Sequence, residues 1–109
     1  MNTQSNIDSA KVQVFVKKPV QIQAIKFTYP PSEEFLEFVG NKMSKLKKER
    51  HLGSKATAVI ATLEDGDENS YQVEHVITEG DWLIKGIKGE FYPIKEDIFL
   101  ETYQELSNA

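Results

Sequence analysis

The stretch Gly80-Asp81-Trp82-Leu83-Ile84-Lys85-Gly86-Ile87-Lys88-Gly89-Glu90-Phe91-Tyr92-Pro93-Ile94 decides the fold. Two short apolar runs separated by glycines are the sequence form of an antiparallel hairpin. Thr78-Glu79-Gly80-Asp81 supplies a turn on entry, and Lys88-Gly89 a turn between strands at 82–86 and 90–94. A two-residue loop pairs Ile87 with Glu90, Gly86 with Phe91, Lys85 with Tyr92 and Ile84 with Pro93. In that register Leu83, Lys85, Ile87, Glu90, Tyr92 and Ile94 share one face. Trp82, Ile84, Gly86, Phe91 and Pro93 share the other, which is apolar or neutral and reads as core.

Working outward, Tyr71, Val73, His75 and Ile77 alternate with Gln72, Glu74 and Val76, the mark of a half-buried strand. Ala56–Leu63 is small and β-branched and reads as its neighbour, with Asp65-Gly66 as the turn between them. Further back, Ser32 is a good N-cap. Glu33, Glu34 and Glu37 follow where the helix dipole favours anions. Phe35, Leu36, Val39, Met43 and Leu46 then fall at helical spacing, which predicts a helix over 33–49, with Gly40 a weak point. Val20, Ile22 and Ala24 alternate with Gln21 and Gln23, giving a strand over 20–28 that starts after Pro19. Val12, Val14 and Val16 form a shorter strand pattern, and residues 1–10 read as a loose polar tail. At the other end, Glu96–Phe99 predicts a helical turn, and 101–106 a last strand or a short helix, with strand preferred. The sum is a small single α+β domain over residues 11–109. It has a mainly antiparallel sheet of about five strands packed on one amphipathic helix.

Composition narrows the class. The chain has 109 residues, 39% apolar and 28% charged, which is a globular balance and one domain's length. No cysteine is present, which excludes disulfide scaffolds, thiolate metal sites and thiol catalysis. No apolar run approaches the roughly 18 residues of a membrane helix. Residues 1–10 lack the apolar core of a signal peptide. A cytoplasmic protein without a membrane partner is the expectation.

Charge is separated along the chain. Between Lys11 and Lys55 stand ten Lys/Arg and four acids; between Glu64 and Glu105, twelve acids and three lysines. Such a dipole can steer a charged partner, or its halves can pair across the domain. The basic run Lys42, Lys45, Lys47, Lys48 and Arg50 is the candidate partner-binding face; the same stripe also fits a solvated helix face. The net charge of -4 and the single arginine argue against nucleic acid as the partner. On the hairpin, Lys85, Glu90 and Tyr92 form a candidate ligand-binding trio: an ammonium, a carboxylate and a phenol able to hold a small anionic ligand. They equally fit a cross-strand pair with the lysine laid over the ring. A ligand site there would be completed across a homo-oligomer interface, since one small sheet encloses little volume.

The acidic run Glu64-Asp65-Gly66-Asp67-Glu68 lacks the ligand spacing of a calcium hand. His51 and His75 stand on separate elements, so no metal and no cofactor is expected. No G-x-S-x-G, P-loop or dinucleotide fingerprint occurs, and catalysis is not expected.

Two stretches carry a resemblance to a family of small proteins of tailed phages and prophages. Lys17-Lys18-Pro19-Val20-Gln21-Ile22-Gln23-Ala24-Ile25 resembles the family's opening KKPV-x-I-x-A-I. The 80–94 block, continued through Lys95, Asp97-Ile98-Phe99 and Thr102-Tyr103, is similar to its PGDY-I-I-K-G-x-x-G-E-F-Y-P-C-K-P-D-I-F-x-x-T-Y block. Glu79, Trp82, Ile94 and Glu96 stand where the pattern has proline, tyrosine, cysteine and proline. The resemblance implies a phage or prophage accessory protein in a bacterial cytoplasm and supplies no mechanism. The expected function is binding: inhibition of a host, defence-related protein. The alternative is sequestration of an anionic metabolite or signalling nucleotide.

Overall fold

The structure is a computed structural model and describes residues 9–63 and 72–106. Its elements run β1 Gln23–Lys26, α1 Glu33–Val39, a 3-10 turn Gly40–Lys42, β2 Met43–Lys47, β3 Thr57–Leu63, β4 Gln72–Thr78, β5 Trp82–Lys85, β6 Phe91–Ile94 and α2 Glu96–Thr102. The strands form two antiparallel three-stranded sheets, ordered β1-β5-β6 and β2-β3-β4. The α+β class holds: the described residues form six strands, close to the about five expected, and two short α-helices in place of one long one. Residues 1–8 of the tail expected over 1–10, and the acidic turn at 64–68, lie outside the described residues.

The core lies where the two sheets and α1 meet. Phe27, Phe35, Val39, Ala58, Ile60, Ile77, Leu83 and Phe91 are buried there. Burial alternates along β4 and over the first half of β3, with Ala58 opposite Ile77 and Ile60 opposite His75, and then runs unbroken through Ile60, Ala61 and Thr62. Thr62, buried on β3, accepts a hydrogen bond from the Phe91 N–H of β6 at 3.1 Å. This bond joins the sheets and satisfies an edge-strand donor that would otherwise be stranded in the core.

Three readings are corrected. The helix over 33–49 stops at Val39. Ser32 caps it as expected, its hydroxyl accepting from the Phe35 N–H at 3.1 Å. Gly40 then takes a positive φ of 59° and donates its N–H to the Leu36 carbonyl, a glycine stop of the left-handed kind. The remaining residues of the helical stripe serve differently. Met43 pairs with Ile60 as the start of β2, and Leu46 is exposed. Tertiary pairing with β3 overrode a helical spacing that was accidental.

The second correction concerns the C-terminus. Residues 96–102 are helix, and 103–106 form no strand. Glu96 and Asp97 occupy the first turn, and Phe99 stacks on Trp82 with ring centroids 4.4 Å apart and 12° between planes. The third concerns Val12–Val16, which joins no sheet. The strand expected over 20–28 is shorter, although Phe27 continues its pairing by donating to the Asp81 carbonyl and accepting from the Gly80 N–H, each at 2.8 Å.

Candidate functional site

The hairpin turn determines where the candidate ligand residues go. The loop holds three residues, Ile87-Lys88-Gly89, not two. Gly86 donates to the Glu90 carbonyl at 2.8 Å, Gly89 donates to the Gly86 carbonyl at 3.0 Å, and Gly89 takes φ 83°. The observed pairs are therefore Lys85 with Phe91, Ile84 with Tyr92, Leu83 with Pro93 and Trp82 with Ile94. This is one residue away from the expected register, and a one-residue slip exchanges faces. Lys85 lies on the Phe91 side, its ammonium 5.6 Å from that ring's centroid. Tyr92 lies on the opposite side. Glu90 folds back on the turn, where its Oε1 accepts from the Lys88 N–H at 3.0 Å. A Cβ at Gly86 would run into the Glu90 carboxylate, which would then have to swing aside. The pairing sets Lys85 on the opposite face from Tyr92, while Glu90 stays close enough to Tyr92 to raise its hydroxyl pKa.

What the slip builds is an aromatic cluster on the outer face of β1-β5-β6. Trp82 Nε1 donates to Glu96 Oε2 at 3.1 Å, and Lys26 reaches the same oxygen at 3.0 Å. These contacts hold the start of α2 on the sheet. They also hold the Glu96 carboxyl below its ordinary value, the Lys26 bond first and the indole bond second. Tyr103 follows Phe99 by one turn at 5.3 Å, and its hydroxyl accepts from Lys17 Nζ at 3.2 Å. Tyr92 is hydrogen-bonded to Tyr103. Burial, then that bond, pushes the Tyr92 hydroxyl up to about 12. The same bond, with Lys17 behind it, lowers Tyr103. Beside this chain runs a groove of about 800 Å³ between residues 19–22 and α2, with Ala24, Trp82, Phe99, Leu100 and Leu106 among its walls.

The basic residues reach the surface from a different element than expected. Lys45 and Lys47 stand on β2, an outer strand of its sheet; Lys42 precedes it, and Lys48 and Arg50 follow it. Lys45, Lys47, Lys48 and Arg50 are exposed, and Lys42 is half-buried. Lys45 takes φ 56°, and the pairing shifts between Ser44 and Lys47. Such a bulge and its lysines are a usual guard on an open strand edge. The loop after β2 is closed by Ser54, whose hydroxyl donates to the Glu49 carbonyl at 2.6 Å. At its tip Leu52 is fully exposed. Lys48 also reaches Glu79 at 3.6 Å and lies 5.2 Å from the Tyr29 ring centroid.

Asp81, the aspartate of the 80–94 block, has a structural occupation. It is buried, accepts from the Thr78 N–H at 2.9 Å and binds Lys95 at 3.1 Å. Glu79, two residues earlier, accepts from the Ala56 N–H at 3.0 Å, and that bond is the main cause of its lowered pKa. Among the described residues no helix is long and apolar enough to cross a membrane.

The sequence reading missed Lys17, Tyr103 and Leu52 as surface features. Tyr103 falls seven residues after Glu96 in a segment read as strand, so its turn-by-turn alignment with Phe99 was hidden by that reading. Compared with known proteins, the chain matches no family profile, no curated sequence and no solved structure.

Proposed function

We propose that the protein acts by binding and not by catalysis, docking an acidic surface of a partner protein along β2 and the loop that follows it. The observation that carries this reading is the concentration of exposed Lys45, Lys47, Lys48 and Arg50 around a fully exposed Leu52. A charged rim around an apolar anchor suits steered encounter followed by burial of the anchor. The lysine-bearing edge repels an identical edge and attracts an opposite one. The described groups with displaced titrations, Glu79, Glu96, Tyr92 and Tyr103, each hold a named structural partner. With the resemblance to phage and prophage proteins, this reading makes the chain an accessory factor that inhibits a host, defence-related protein in the bacterial cytoplasm.

The test is recovery of tagged protein from nuclease-treated host lysate, wild type beside a Lys45→Glu/Lys47→Glu/Arg50→Glu variant. A stoichiometric protein retained by the wild type, released by salt and absent from the variant is the expected result. Equal retention by both chains contradicts the reading. Retention that nuclease abolishes points to nucleic acid and contradicts it as well.

A further inference from the structure

Residues 11–18 read Lys-Val-Gln-Val-Phe-Val-Lys-Lys, with three cations and no acid. They run outside both sheets. Val12, Val14 and Val16 are 102%, 99% and 91% exposed, and Phe15 is 70% exposed. In an extended segment Val12, Val14 and Val16 share one side. Four neighbouring apolar side chains left in water are the mark of a contact surface. The arm is tied at its root, where Lys17 donates to Tyr103. That tie lies on the rim of the groove on the outer face of β1-β5-β6.

The groove fits such an arm. Val20, Ile22, Trp82, Phe99, Leu100 and Leu106 give it an apolar wall, and Leu100 and Leu106 are mostly exposed. Glu105 is the acid of the groove's lining, and the segment 96–106 beside it carries Glu96, Asp97, Glu101 and Glu105 and no cation, the complement of the arm, with Glu96 already paired to Lys26. Eight extended residues span about 25 Å, enough to lie along a groove that one helix borders. The arm cannot easily fill its own groove. Residues 19–22 form one wall, so the chain would have to reverse within Lys17-Lys18-Pro19, where proline fixes the backbone.

We propose that the arm of one copy lies in the groove of a second copy, Val12, Val14 and Val16 against its aromatic wall, and that the exchange is reciprocal about a two-fold axis. Each copy supplies one arm and one groove, so the contact closes at two chains. Lys11, at the far end of the arm from its root, then meets the Glu101 and Glu105 side of the partner's groove. The proposal is independent of the β2 reading, since the two surfaces share no residue.

The chain's lack of cysteine makes the test direct. Single variants Val14→Cys and Leu100→Cys, both at exposed positions, are mixed and mildly oxidised. A disulfide-linked pair of one chain of each kind, at twice the 12.4 kDa chain mass and in excess over like pairs, is expected. In sedimentation the wild type should be a dimer at micromolar concentration. Val12→Asp/Val14→Asp/Val16→Asp should raise the dissociation constant by about 100-fold or more with an unchanged circular dichroism spectrum. A wild type that stays monomeric overturns the proposal. So does a dimer indifferent to the triple substitution. A doubly substituted chain that cross-links only within itself overturns it too, because the arm then closes on its own groove.

Discussion

In the sheet β1-β5-β6, the adjacent residues Leu83 and Ile84 are both fully buried although they point to opposite faces. In the sheet β2-β3-β4, Ala58 and Ile60 are buried, while Val59 between them is half-buried and Val76 opposite it is 64% exposed. The difference lies in what covers each second face. On the first sheet, α2 lays Phe99 and Tyr103 over Trp82 and Tyr92. On the second, no helix covers the outer face among the described residues, and the outer strand β2 is left in solvent. A sheet covered twice reads as a continuous apolar run; a sheet covered once alternates. The first sheet carries an aromatic cluster and a groove on its outer face. The second leaves an edge strand and a charged loop exposed.

The largest effects should come from the core that both sheets share. Leu83→Ala and Ile60→Ala should each cost about 2–5 kcal/mol in urea unfolding. Both should shift a single transition, because Phe91 and Thr62 tie the sheets together; two separate transitions would break the comparison. Asp81→Ala should cost about 1–3 kcal/mol, because it leaves the part-buried Thr78 N–H without its acceptor; the exposed Lys95 ammonium returns to water. Phe99→Ala removes a stacked ring worth about 1 kcal/mol beyond its burial. It should also change the emission of Trp82, the sole tryptophan, whereas Val76→Ala on the other sheet should not.

Titration separates the faces further. Glu79 and Glu96 have folded pKa values below their ordinary 4.5, so their stabilisation is present above that value and fades as the pH falls through the lowered ones. Glu96→Gln should flatten the acid limb of a pH–stability profile. Tyr92 runs the other way. Its folded value of about 12 exceeds the ordinary 10.0, so its contribution is intact below 10 and is lost as the pH rises towards 12. Ultraviolet titration of Tyr103→Phe should move Tyr92 back towards its ordinary value. The smallest stability effect belongs to Lys45→Glu/Lys47→Glu, within about 0.5 kcal/mol, since both side chains are exposed on an outer strand.

The strands 57–63, 72–78 and 82–85 were legible because their burial follows local pattern. So were the Ser32 cap and the turn at Gly80-Asp81. What was not legible depends on contacts distant in sequence. Met43 and Leu46 continue the spacing of Phe35 and Val39, and only pairing with Ile60 reveals Met43 as strand. Lys85 was separated from Tyr92 by one residue of loop length, which the dipeptide Lys88-Gly89 does not specify. The Tyr92–Tyr103–Lys17 chain joins residues up to 86 positions apart, and no local pattern announces it.

The account stands most directly on which surface a partner covers. Amide hydrogen exchange of the protein, free and in the complex recovered from host lysate, measures it. The account predicts that the amides of Met43–Lys47 and of the loop around Leu52 gain protection while those of β5 and β6 do not change. Protection confined to the hairpin at 82–94, or absent from β2, would contradict it.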